Sequence, residues 1–392
     1  MKVGIITHHS IPNCGANLQA LSTSLALKKL GHEAVIINYQ VDEINKRYLS
    51  STTPEQIAKH NKFVYDYLNV TNVCRNSNDV KSIAEKETLD AVISGSDAVL
   101  RLNPLQPDRD DMSFPNPFWL NWADEIGIKK RGFLASSCMG SNFLSQCKSV
   151  RMDIKEAVDA LNFCSVRDTW TALMLKSCRV PEDAINFCPD PVSQIITNEM
   201  LSLTPAINRP QGKIVLLSFY AKTASKTWII ELIKSLKSRG YTTVSFPQPD
   251  HPCQIPTDIE IQLPLSPMEW LAWLNASDGY IGVRFHPIVI SQALGKPFIA
   301  LDYYDNGIPF GNRLLRKAAK LARPLTRDIS KTYDLAKRVK LEEFVIPKRR
   351  IKKIQPMKVV ELFEKAGRQT TSLENRKYRS TEFDTCLNSI VG

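Results

Sequence analysis

Paired cysteines, metal-ligand clusters and long apolar runs are what this 392-residue sequence lacks. Its nine cysteines, at positions 14, 74, 138, 147, 164, 178, 188, 253 and 386, are odd in number, scattered and never spaced C-x-x-C. That argues against a disulfide framework and a structural zinc site, and leaves reduced thiols. There are only six histidines, and no His/Asp/Glu group has ligand spacing, so no metal is expected. No stretch approaches the ~20 consecutive apolar residues of a membrane span. The opening MKVGIITHHS reads as a first strand rather than a secretory leader. Lysine and arginine exceed the acids by 51 to 40, a net charge of +11, yet no basic stripe is interleaved with aromatics, which argues against a nucleic-acid partner.

What is present is the composition of an ordinary soluble globular protein, 43% apolar and 23% charged. At about 150 residues per domain, the length fits two domains. The excess of positive charge draws anionic ligands or surfaces. It is densest in PKRRIKK, residues 347–353, which reads either as a solvated linker or as a peripheral contact with anionic lipid head groups.

The first forty residues alternate strand, loop, helix and strand. VGIITH and AVIINY are continuously apolar, as in a parallel sheet covered on both faces, and Leu18, Leu21, Leu25, Ala26 and Leu30 give the helix between them an inward stripe. Further strands are expected at 90–94, 132–137, 164–167 and 184–187. Residues 51–79 and the Pro/Asp-rich RLNPLQPDRDDMSFPNPFW read as irregular surface segments. LTPAINRPQG, near 202–211, looks like a linker, after which KIVLLSFY, TTVSF, GYIGV and PFIALDY alternate with helical segments. The expected fold is α/β, two Rossmann-like doubly wound domains (1–200 and 201–367) facing a central cleft, with a polar tail over 368–392.

Four loops fall at the carboxyl ends of expected strands, where such folds bind ligands. In THHSIPNCGANLQ, Asn13, Gly15 and Asn17 occupy a strand-to-helix turn that suits an anion or equally a helix cap. In ISGSDAVLR, Ser94, Gly95, Ser96 and Asp97 suit a capped helix start or a sugar-hydroxyl site. In CSVRDTW, capping accounts for Asp168 but not for Arg167. In YIGVRFHPIVISQALGKP, Arg284 and His286 alternate with Phe285 and project to one side if the strand persists, with Pro287 in the first turn of the next helix. An arginine ending a core strand needs a negative partner, so this loop reads as an acidic-substrate site with a histidine able to move a proton.

The ordered set NCGANLQA, SGSDAVL, ASSCMGS, CSVRDTW, CPDPV and VRFHPIVISQALGKPFI resembles the polysaccharide pyruvyl transferase family over about residues 3–305. The resemblance implies a fold like that of the GT-B glycosyltransferases. It also implies transfer of a pyruvyl group from phosphoenolpyruvate onto two sugar hydroxyls, giving a cyclic ketal and free phosphate. No cofactor is implied beyond the phosphoenolpyruvate donor. The acceptor would be a saccharide of a cell-surface polysaccharide, as a polymer or a lipid-linked precursor, handled in the cytoplasm or at the inner face of the membrane. Arg167 and Arg284 match the family's motif arginines and would anchor the donor. His286 matches its motif histidine and would act as general acid or on the departing phosphate, and Asp97 and Asp190 are candidates for the base. Val283, Pro287, Leu100 and Cys14 depart from the family pattern, which bears on acceptor identity. A nucleotide-sugar glycosyltransferase and a non-catalytic glycan or phosphometabolite binder are the competing readings.

Overall fold

In the computed structural model, the described residues are all but 107–108, 110, 197–198, 221–222, 250–252, 303–329 and 370–373, and 374–380 are described by their backbone alone. Two six-stranded, wholly parallel sheets make up the core. The first comprises β1 (Lys2–Ile6), β2 (Glu33–Ile36), β3 (Ala91–Ser94), β4 (Lys130–Ser136), β5 (Phe163–Val166) and β6 (Asn186–Phe187), in the order β2-β1-β3-β4-β5-β6. The second comprises β7 (Lys213–Ser218), β8 (Tyr241–Ser245), β9 (Ile259–Glu260), β10 (Tyr280–Gly282), β11 (Phe298–Asp302) and β12 (Val345–Pro347), in the order β12-β11-β10-β7-β8-β9. Both orders reverse beside the first strand of their sheet, and that switch opens a crevice at the strands' carboxyl ends.

The described helices of the first half are α1 (Cys14–Lys29), α2 (Asp42–Leu49), α3 (Pro54–Tyr67), α4 (Ser77–Lys86), α5 (Trp122–Glu125), α6 (Lys148–Asp159) and α7 (Thr169–Ser177). Those that follow are α8 (Lys226–Ser238), α9 (Pro267–Ala276), α10 (Phe285–Ala293), α11 (Lys331–Arg338), α12 (Lys348–Ile351), α13 (Pro356–Gln369) and α14 (Glu374–Val391). Strand interiors such as Val3, Ile5, Ile93, Leu216, Leu217 and Ile299 are wholly buried, as sheets covered on both faces require.

Two expectations are corrected. Residues 51–79 are not irregular: Thr53 caps α3 by accepting from the Gln56 amide, with Pro54 at the first helical position, and Asn76 caps α4. Nor is the segment after 368 a polar tail. In α14, Phe383, Cys386, Leu387, Ile390 and Val391 are buried, and the helix packs against the first sheet, so closely at Gly132 that a Cβ there would stand 2.7 Å from Ile390. These apolar residues recur every three or four positions, the period of one helix face.

The halves are joined by polar contacts as well as packing. The Gln56 amide on α3 donates to the Leu265 carbonyl and accepts from the Leu265 N–H, both at 2.7 Å. Lys59 pairs with Glu269 on α9 at 2.8 Å. On the other flank, Asp334 of α11 accepts from the backbone N–H and hydroxyl of Thr169 at 2.9 and 2.7 Å, and the Arg338 guanidinium lies 3.7 Å from the centre of the Phe187 ring.

Candidate active site

The crevice gathers side chains from both halves around Arg167, which leaves the end of β5 almost wholly buried. Its Nη1 donates to Asp190 Oδ2 at 2.7 Å and to Ser96 Oγ at 3.2 Å, and its Nη2 to Asp97 Oδ1 at 3.0 Å. Its Nε has no partner among the described residues, and its guanidinium lies 5.4 Å from the centre of the Phe285 ring. The negative partners that an arginine at a strand end requires are therefore Asp97 and Asp190. Burial pushes the Asp97 carboxyl up, but Arg167, His286, His8 and Lys331 together outweigh it and hold the group well below the ordinary range.

His286 enters from the second half. β10 stops at Gly282 and Phe285 already begins α10, so the strand does not persist through Arg284 and His286, and they do not share a strand face. Arg284 precedes the helix and lays its guanidinium 4.7 Å from the Tyr220 ring centre. His286, one position into the helix, packs on the first turn of α1. A Cβ on Gly15 would lie 2.0 Å from His286 Nδ1, so glycine is what lets the imidazole approach. His286 Nε2 stands 3.9 Å from Asp190 Oδ2 and has no hydrogen-bond partner among the described residues. Burial, which Asp190 and Asp97 oppose only in part, pushes the imidazole down to about 4, so it is neutral at pH 7 in the free crevice.

Other residues singled out in the sequence are committed to architecture. Asn13 caps α1 through the Ala16 N–H at 3.2 Å. Asn17 is buried, donating to the His9 carbonyl and meeting His60 Nδ1 at 2.7 Å. Ser94 lies inside β3, and Gly95 turns the chain after it with φ +126°. Ser96 helps to hold this turn through its N–H on Gln19 Oε1. Asp190 also caps the turn 191–194 through the Val192 N–H at 3.2 Å. Asp168 caps α7 and accepts from Ser137 at 2.6 Å.

Two groups were passed over in the sequence. His8 follows β1, buried edge-on to Phe118 at 4.9 Å, and burial lowers its pKa. The repeated histidine of THHS was the available signal. Lys331 begins α11 with its ammonium 4.7 Å from the Phe285 ring centre, and burial followed by repulsion from Arg167 lowers it to about 8. No group of three His, Cys, Asp or Glu side chains among the described residues could hold a metal ion. Among the same residues, no helix is long and apolar enough to cross a membrane. A cavity of about 350 Å³ lined by Phe114, Asp124, Arg131 and Glu156 includes the amino end of β4, away from this cluster.

The sequence model of the polysaccharide pyruvyl transferases matches residues 13–306. The chain belongs to that family. No curated protein matches it in sequence. In architecture it is similar to the UDP-GlcNAc 2-epimerase of Neisseria meningitidis in its UDP-GlcNAc complex, with a TM-score of 0.52 at 12% identity over 100% of both chains. It is similar also to the spinosyn forosaminyltransferase SpnP, with a TM-score of 0.52 at 13% identity over 100% of this chain and 97% of the other. A putative UDP-N-acetylglucosamine 2-epimerase from Listeria monocytogenes gives a TM-score of 0.50 at 10% identity, over 100% and 94%. At these identities the likeness carries the fold, which is GT-B. Family membership makes the protein a sugar-modifying transferase of polysaccharide biosynthesis.

Proposed function

We propose that the crevice transfers a pyruvyl group from phosphoenolpyruvate to two hydroxyls of one sugar, forming a ketal. The observation that carries this reading is the meeting of Asp97, Arg167, Asp190 and His286, from four separate motifs, at one point between the halves. A donor with a carboxylate and a phosphate needs cations, and Arg284 with the Nε edge of Arg167 offers them.

The methylene carbon of the donor takes a proton and becomes a methyl group, and a sugar hydroxyl bonds to the adjacent carbon. The carbon–oxygen bond to phosphate then breaks, the second hydroxyl closes the ketal, and one of the two hydroxyl protons balances the one delivered to carbon while the other leaves with phosphate. His286 is the general acid. It is neutral in the free crevice, so the donor's negative charges load it by raising its pKa on binding. Both Asp190 oxygens are engaged, whereas only Oδ1 of Asp97 meets Arg167, which makes Asp97 the better-placed base and Asp190 the group that orients Arg167. Arg349, Arg350, Lys352 and Lys353 are exposed after the carboxyl end of β12, a basic surface suited to a lipid-linked anionic acceptor at a membrane.

The test is thermal stabilisation by phosphoenolpyruvate against a panel of nucleotide sugars, since a ligand that binds only the native state raises the melting temperature. Stabilisation by phosphoenolpyruvate alone, lost in Arg284→Ala, supports the reading. Stabilisation by a nucleotide sugar alone replaces it with glycosyl transfer.

A further inference from the structure

The electrostatics of the crevice leave a difficulty that the motif residues do not resolve. One guanidinium, Arg167, pairs with two carboxylates, Asp97 and Asp190, so this ion-paired cluster carries one net negative charge while His286 is neutral. Such a cluster repels an anionic donor. Lys331 is the group that cancels this charge. Its ammonium shares the Phe285 ring with Arg167, the centroid distances being 4.7 and 5.4 Å, and no carboxylate among the described residues lies within ion-pair distance of it. Its place is also unfavourable for the helix it begins. Ser330 caps α11 by accepting from the Tyr333 N–H, and a cation next to that cap opposes the positive end of the helix dipole. Stability alone would favour an acid there.

We propose that Lys331 is a donor-binding residue that takes the anionic end of the donor from the α11 side of the crevice, deepening the pyruvyl-transfer reading on which it rests. Lys331 lies beyond residue 306, where the family match ends. Asp334, on the same helix, fastens to Thr169, next to the Asp168 cap, so the contact that docks α11 on the first half also brings Lys331 to Arg167. The charged and titratable groups that act on it are Arg167, Asp97, Asp168 and Asp190 from the first half and His286 from α10, while Asp334 of its own helix is engaged with Thr169 and Arg338.

The experiment uses the full chain with Lys331→Met and Lys331→Arg, measuring dissociation constants for phosphoenolpyruvate and for inorganic phosphate, and kcat and KM, on both sides of pH 8. Loss of the ammonium is expected to weaken phosphoenolpyruvate binding and raise KM on the order of 10–100-fold, with a smaller effect on kcat. Wild-type affinity is expected to fall as pH rises through about 8, and Lys331→Arg to keep its affinity there, because arginine does not titrate in that range. Unchanged affinity in Lys331→Met, or the same alkaline loss in Lys331→Arg, overturns the proposal while leaving the donor reading intact. Phosphate binding that depends on Lys331 without any phosphoenolpyruvate binding upholds the anion anchor and overturns the donor. Failure of the wild type to bind either anion overturns both.

Discussion

Replacing Gly15 by alanine is the sharpest probe of the crevice, because it adds one carbon at a point where the structure leaves no room. The new Cβ would lie 2.0, 2.2 and 2.5 Å from Nδ1, Cγ and Cε1 of His286. Ordinary contact begins near 3.4 Å, so the ring must retreat by the difference, about 1.4 Å. Alanine in a helix is otherwise favourable by about 1 kcal/mol over glycine, and displacing a packed ring costs about 1–3 kcal/mol. The net is a loss of at most about 2 kcal/mol, so the melting temperature should fall by no more than a few degrees. Activity should not survive, since a misplacement of ~1 Å of a reacting group costs on the order of 10²-fold and removal of a positioned acid 10²–10⁴-fold. Steady-state kinetics and thermal unfolding of Gly15→Ala, His286→Ala and the double variant measure this. The double variant should be no slower than His286→Ala, and in that background the alanine should show its full stabilising effect, the clash having gone. Turnover of Gly15→Ala close to wild type, or fully additive losses, would refute the placement of His286 against α1 as the basis of its role.

Three further outcomes are expected. Gln56→Leu strands the buried N–H and carbonyl of Leu265 and should cost about 2–6 kcal/mol in denaturant unfolding, two groups at about 1–3 kcal/mol each. Burial pushes His60 down to about 3, so its neutral form is favoured in the folded state and stability should fall with pH from the free value of 6.5 towards that point. By about pH 5 this amounts to roughly 2 kcal/mol, and His60→Gln should flatten the pH dependence of urea unfolding. Phe383→Ala opens a cavity under α14 and should cost about 3–5 kcal/mol, read by the same unfolding assay.

Much of the architecture was readable because parallel strands buried on both faces are continuously apolar: VGIITH, DAVIS, KIVLLSFY and PFIALDY each mark a strand. Arg167 was readable as a residue that capping does not explain, but its partners, Asp97 and Asp190, lie 70 and 23 residues away and only the fold brings them together. Arg284 and His286 were found, but period-two projection failed because β10 ends two residues before Arg284 and helical geometry takes over. Lys331 was missed because a lysine opening an ordinary surface-patterned helix carries no local signal, and its meaning comes from Phe285 and Arg167 across the crevice. The α14 pattern was present in Phe383, Cys386, Leu387 and Ile390, but the polar stretch before it hid the apolar face.

The return of α14 to the first sheet has a consequence for the order in which the molecule can assemble. β4 is synthesised some 240 residues before the helix that covers it, as the separation of Gly132 from Glu374 shows. Until that helix emerges, the nascent first half carries an uncovered apolar sheet face, and its closure has the high sequence separation that slows folding and exposes intermediates to aggregation. The first half therefore completes last, although it is made first. Expressed alone as residues 1–200, it should be sticky and incomplete, and adding the α14 segment as a separate peptide should rescue it.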